Sequence, residues 1–368
     1  MGLNHLKLFS GVFDRKKVLV TGDTGFKGSW LAIWLNELGA NVYGYSLPPR
    51  SALDNYPKSG LHNIIHHTDG DIRDGVTLEK YIREIQPDFV FHLAAQSLVL
   101  ESYQDPRYTF ETNIIGTVNV FEAVRNTESV KVLINVTSDK CYQNNNWVWG
   151  YRENDPMGGN DPYSASKGCS ELITNSYNHS FFNQHRCHIA SVRAGNVIGG
   201  GDWAPNRIVA DFFRAIMENQ ELILRNPHSV RPWQFVLEPL SGYLMLCSQL
   251  FKNGKKFSGA WNFGPRDASQ HQVQELIEEI VQTMGKGKYK TERKNNDPPE
   301  ANMLNLDISK AVNILKWSPV LNFHETVKFT IDGYQAGFTL ENTYQSRAEQ
   351  IKEYVDKAMN KKADWTRV

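Results

Sequence analysis

Cysteine and unbalanced charge are what this 368-residue chain has least of. Its four cysteines, Cys141, Cys169, Cys187 and Cys247, form no CxxC pair, so reduced thiols are expected and not a disulfide framework. Lys plus Arg and Asp plus Glu both total 40, which leaves no net field to draw nucleic acid or an acidic membrane surface. No run approaches the ~18 uninterrupted apolar residues of a spanning helix. Residues 1–15 also lack the apolar stretch and small-residue cleavage site of a secretory leader. Together these absences predict a cytoplasmic protein with a small-molecule partner, no nucleic acid and no membrane. The length allows two cores, since a domain usually holds roughly 100–200 residues.

Short apolar runs are present, and they alternate with helical patterns. Residues 18–21, 42–45, 64–67, 89–93, 132–136 and 188–192 read as strands. Over 106–124, Phe110, Ile114, Val118 and Phe121 recur at steps of three or four, one apolar face of a helix. Such alternation predicts an α/β fold: a Rossmann-type doubly wound parallel sheet with a smaller C-terminal α/β substrate-binding domain. The expected division is 1–195 for the cofactor-binding part, with about 235–263 returning to it, and 196–368 mainly for the second. Residues 285–297 read as a mobile surface loop and the charged tail from Gln345 as a solvated helix.

Gly22, Gly25 and Gly28 follow the first strand at GxxGxxG spacing, in Val18-Leu19-Val20-Thr21-Gly22-Asp23-Thr24-Gly25-Phe26-Lys27-Gly28. Without side chains there, backbone can approach a pyrophosphate, and the following helix offers free N–H groups and a positive dipole end. Gly22, Thr24, Gly25, Phe26, Lys27 and Gly28 are therefore candidate cofactor contacts. Asp71 and Ile72 suit an adenine contact, and small Ala94 and Ala95 suit close passage of the cofactor. The second strand ends in Tyr45-Ser46-Leu47-Pro48-Pro49-Arg50, with no carboxylate for a ribose hydroxyl and an Arg50 that could meet a 2′-phosphate. The residues alone leave NAD and NADP open. Adjacent His66 and His67 face opposite sides of a strand, so no metal site is expected.

Tyr163 and Lys167 stand four apart behind Pro162, on one face of a helix start. An ammonium nearby stabilises a phenolate, which would bring Tyr163 below its ordinary pKa of about 10 and make it a base. Ser138, at the exit of the strand over 132–136, can hydrogen-bond the reacting oxygen. These motifs over about 16–317 resemble the extended short-chain dehydrogenase/reductase family, and within it the nucleotide-sugar 4,6-dehydratases. The resemblance is carried further by Ser138-Asp139-Lys140, where the dTDP-sugar branch has Thr-Asp-Glu. Trp147-Val148-Trp149-Gly150-Tyr151-Arg152-Glu153, the run from Arg193 to Trp203 and Arg231-Pro232-Trp233-Gln234 add to it. They are similar to the branch whose substrate is CDP-glucose.

The resemblance implies NAD, a CDP-glucose substrate, O-antigen-type 3,6-dideoxyhexose biosynthesis and a homodimer through a four-helix bundle. It also implies substrate contacts at Asn196, Arg207, Arg231 and Glu300, to which the residues add that an Arg can grip a diphosphate bidentately. Once C4 of the sugar is a ketone, C5 is acidic, and Asp139, if protonated, can pass a proton to the C6 oxygen. Lys140 is either a neutral base or a cation beside the developing enolate. A 4-epimerase would need Tyr163 but not Asp139 and Lys140; a non-catalytic nucleotide sensor would not need Tyr163 or Lys167.

Overall fold

Alternation along the apolar runs decides the architecture, seen here in a computed structural model that describes residues 5–266, 271–292 and 304–367. In the strand Lys17–Thr21, Val18 and Val20 enter one core with Phe89, Phe91, Val132 and Ile134. Leu19 enters the other with Val90, Leu133 and Ile189. Strands apolar on both sides need helices on both faces. The helices Phe26–Glu37, Leu237–Asn253 and Tyr344–Asn360 cover the first face, Gly75–Ile85 and Gly116–Arg125 the second.

The sheet has seven strands, in the order Gly259–Phe263, His188–Ala194, Val132–Val136, Phe89–His92, Lys17–Thr21, Asn41–Ser46, His66–Asp69. Every neighbouring pair is parallel. This is a Rossmann-type doubly wound sheet. Strand order reverses between Lys17–Thr21 and Phe89–His92, so the chain leaves these two strands in opposite directions and opens a crevice at their C-terminal ends. The expected strands fall in place within one or two residues; the one read at 64–67 runs His66–Asp69.

After Ala194 the chain builds short pairs. Val197–Ile198 pairs with Gln234–Phe235, Val230–Arg231 with His271–Gln272, and Leu222–Leu224 with Tyr289–Thr291. Val209, Phe212, Phe213, Leu276, Ile277, Ile280, Val327, Ile331 and Tyr334 fill a core of their own under them. The helix Leu237–Asn253 and the strand Gly259–Phe263 return to the large sheet.

Three expectations need correction. Residues 106–125 are helical, but a π-turn over Glu111–Ile115 interrupts them. Phe110 lies on the surface, while Thr112, Asn113, Thr117, Val120 and Phe121 are buried. The inward face is partly polar, bonded to Gln96 and Ser166 through Asn113, so of the expected apolar face Phe121 is buried, Ile114 and Val118 are half-buried and only Phe110 is exposed. The tail is not a solvated helix: Ile351, Tyr354, Val355 and Ala358 are buried, and Arg347 bonds Asn55 and the Gly333 carbonyl while lying over Trp30. Its charges crowd the outer face and mask a packed inner one. Of residues 285–297, Tyr289–Thr291 form a strand, and 293–297 lie outside the described residues.

Candidate active site

A cleft of about 1130 Å³ opens at the C-terminal ends of the central strands. Gly22, Thr24, Gly25, Phe26, Lys27, Gly28, Asp71, Ile72, Ala94 and Ala95 line one part of it. Ser138, Asp139, Lys140, Tyr163, Lys167, Asn196, Arg207 and Arg231 line the rest. Glu300 lies outside the described residues.

The glycine turn meets the steric demand of a dinucleotide. Gly22 has φ +78°, and a Cβ there would stand 2.6 Å from the Ala94 amide nitrogen. A Cβ on Gly28 would come within 2.0 Å of the Gly22 carbonyl oxygen, so helix and turn can touch only through glycine. Gly25 is exposed and begins the helix Phe26–Glu37, whose first turn has no side-chain cap. Its N–H groups and dipole end are available to an anion in the cleft.

Asp161 accepts from the Ser164 amide at 2.9 Å, and Pro162 follows at the first turn, which starts the helix Pro162–Tyr177 and aims Tyr163 and Lys167 together. Both are buried. Burial raises the Tyr163 phenol to about 12, against a side-chain hydrogen bond with Ser138 that lowers it. The expectation that Lys167 brings this phenol below its ordinary value is therefore not met in the protein alone, because desolvation outweighs it. Burial also lowers Lys167 to about 8; its Nζ donates to the Val136 carbonyl at 3.3 Å. One turn further, Glu171 pairs with Arg193 at 2.7 Å, both almost wholly buried, and accepts from Ser191 and Thr137.

At the exit of Val132–Val136, Ser138 Oγ donates to Asp139 Oδ1 at 3.0 Å. Burial raises the Asp139 carboxyl above its usual range, with Lys140, Ser138, Arg231 and Lys27 pulling the other way. Lys27, from the glycine turn, is lowered to about 8 by burial and then by Arg207. Thus the phosphate turn and the strand exit share one electrostatic neighbourhood. His92 is held between Thr21 and Thr117, and burial lowers it to about 3, a neutral structural group.

Arg207 is the residue before the helix Ile208–Met217, and it meets Asp202 at 3.4 Å. Arg231 is buried at the cleft wall. Arg50 is held bidentately by Glu101, at 2.7 and 3.0 Å. Asp71 is likewise engaged, by Arg73 at 2.6 Å. Asp202 and Asp23 were assigned no role from sequence; both lie beside residues that were, and only packing shows it.

A family model described as GDP-mannose 4,6 dehydratase matches residues 19–330. CDP-glucose 4,6-dehydratase of Salmonella typhimurium is 46% identical over 92% of this chain and 96% of its own. GDP-mannose 4,6 dehydratase 1 of Arabidopsis thaliana is 27% identical over 87% of this chain and 90% of its own. Among solved structures, an epimerase from Methanothermobacter thermautotrophicus has a TM-score of 0.76 at 26% identity, covering 92% and 96% of the two chains. UDP-glucuronic acid 4-epimerase from Bacillus cereus, in complex with UDP-glucuronic acid and NAD, has a TM-score of 0.73 at 21% identity, covering 87% and 99%.

Proposed function

Since this chain belongs to the nucleotide-sugar 4,6-dehydratases of the extended short-chain dehydrogenase/reductase family, we propose that it is an NAD-dependent hydro-lyase that converts CDP-D-glucose to CDP-4-dehydro-6-deoxy-D-glucose and water. The choice of CDP-glucose is supported by the Salmonella relative, and that of NAD by the glycine cradle and by the cofactor bound in the Bacillus neighbour. When bound, NAD supplies the oxidant for C4, the reductant for C6 and a positive ring whose field favours the Tyr163 phenolate.

The chain's own residues move the protons. Tyr163 Oη takes the proton of the C4 hydroxyl, and Ser138 Oγ hydrogen-bonds the same oxygen as it becomes a carbonyl. Asp139, held by burial towards its protonated form, gives a proton to the C6 oxygen as it leaves in water. Lys140, half-buried at the same strand exit, takes the C5 proton once the C4 carbonyl has made that carbon acidic, so that one proton leaves C5 as another reaches the departing C6 oxygen. Arg207 and Arg231 hold the diphosphate, Asn196 lies near the sugar, and Asp71 and Ile72 near the adenine. Residues 1–195 with 235–263 form the cofactor part and 196–368 mainly the substrate part. The protein works in the cytoplasm, in O-antigen-type deoxysugar biosynthesis, as a homodimer. Ile115, Leu172 and Phe181, exposed on the helical segments over 111–182, offer the apolar face for it.

The observation that carries the dehydratase reading is the buried Asp139 bonded to Ser138, an acid for which a 4-epimerase has no use. Incubation of the purified chain with CDP-glucose and NAD tests it. A 4-keto-6-deoxy product, seen by its alkaline absorbance, is expected; formation of CDP-galactose without loss of water would overturn the reading.

A further inference from the structure

The strand Asn41–Ser46 ends without a carboxylate, yet one lies against it from another element. Asp23, the residue after the first glycine of the turn, is wholly buried. Its Oδ1 accepts from Ser46 Oγ at 2.9 Å, and its Oδ2 lies 2.7 Å from His67 Nδ1. The room for it is made by Gly44, where a Cβ would come within 2.1 Å of Asp23 Oδ2. Ser46 and Thr24 line the cleft beside Asp71 and Ile72, at the end assigned above to the adenosine.

The protons of these hydroxyls decide what the arrangement offers a ligand. A hydroxyl has one proton to donate and two lone pairs. Thr24 Oγ1 gives its proton to the Leu47 carbonyl at 2.8 Å. Ser46 gives its proton to a carboxylate, the stronger of its available acceptors. The two oxygens also hydrogen-bond each other at 2.9 Å, so both protons are spent within this group and neither hydroxyl is left to donate into the cleft. A ribose 2′-hydroxyl can donate to them. A 2′-phosphate, an acceptor carrying nearly two negative charges, finds no donor in these two hydroxyls. His67 carries at most one positive charge between Asp23 and Asp69, so the group as a whole does not become cationic. Of the arginines at this end, Arg50 is paired with Glu101 and Arg73 with Asp71.

We propose that Asp23 is a positioning residue for cofactor specificity, which by fixing the Ser46 proton inward makes the pocket accept NAD and reject NADP. The proposal rests on the NAD reading above. Calorimetric titration of the full-length, nucleotide-free protein with NAD and with NADP tests both and separates them. Wild type should bind NAD the more tightly; tighter binding of NADP would overturn the cofactor reading itself.

Asp23→Asn keeps the shape, removes the charge and turns an amide donor on Ser46, releasing the serine proton. Its NADP to NAD affinity ratio should rise by about tenfold or more, as relief of a like-charge contact allows. A wild-type ratio in this variant, or an equal loss for both nucleotides, would overturn the proposal while leaving the NAD reading intact. If Asp23→Asn does not fold, Ser46→Ala serves instead. It should weaken NAD by about fivefold, the worth of one hydrogen bond, and leave NADP unchanged; unchanged NAD binding would refute the role given to Ser46.

Discussion

Ser138 donates its hydroxyl proton to Asp139 across 3.0 Å, so two groups that act on different carbons of the sugar share one proton before substrate arrives. Asp139→Asn preserves this contact in shape but cannot release a proton to the C6 oxygen. Product formation should fall by about 10²–10⁴-fold. Oxidation at C4 should persist, visible as reduced cofactor that accumulates with substrate. Equal loss of both steps would mean that Asp139 serves only to orient Ser138.

Tyr163→Phe removes the proton acceptor while keeping the ring that fills its buried position. Turnover should fall by about 10²–10⁴-fold with little change in thermal midpoint, and no reduced cofactor should appear in a single-turnover experiment.

Lys167 couples stability to pH. It is 6% exposed, and burial lowers it from 10.5 to about 8 in the folded chain. Between these values the unfolded chain binds the proton and the folded chain does not, so stability rises with pH across that window; below about 8 the full penalty is present. Lys167→Met should therefore be more stable than wild type at neutral pH, by roughly 3 kcal/mol, and the gap should close towards pH ~10.5. Denaturant unfolding of both proteins across that range checks it. The raised Tyr163 acts in the opposite sense at higher pH, but equally in both.

Glu171 and Arg193 are each 3% exposed, and Glu171 also binds Thr137 and Ser191. Glu171→Ala strands a buried guanidinium and should destabilise the fold by about 3–5 kcal/mol. Combining Glu171→Leu with Arg193→Met should cost less than Glu171→Ala, since no charge is left unpaired.

Sequence carried the central strands well because those such as Phe89–His92 and Val132–Val136 are buried on both faces and read as short, mainly apolar runs, whereas the largely exposed edge strand His66–Asp69 reads two residues early. Tyr163 and Lys167 were legible for a similar reason: one helix supplies both at a spacing that dictates a shared face. What stayed hidden came from elements distant in sequence. The Asp23 carboxylate reaches Ser46 only because Gly44 leaves space, and Arg347 enters the core from a tail whose composition reads as solvated. The phenol of Tyr163 stands higher than its lysine neighbour suggests because its burial does not show in the spacing. The π-turn at Glu111–Ile115 leaves no mark in apolar periodicity, because the face it turns inward is made of Thr112 and Asn113.

Arg207 and Arg231 stand on opposite sides of the chain segment over 208–230 and line one cleft. Replacing either by Ala should raise KM for CDP-glucose by about tenfold or more with a smaller change in kcat, since a diphosphate is gripped alike in ground and transition states. A loss confined to kcat would remove them from the diphosphate.

The central claim, a dehydration whose oxidation and reduction occur within one sugar, is tested most directly with CDP-glucose carrying deuterium at C4. The account predicts that the label is recovered at C6 of a 4-keto-6-deoxy product, with a solvent-derived proton at C5. Label that returns to C4, or that is lost to solvent while C6 keeps its hydroxyl, would contradict it.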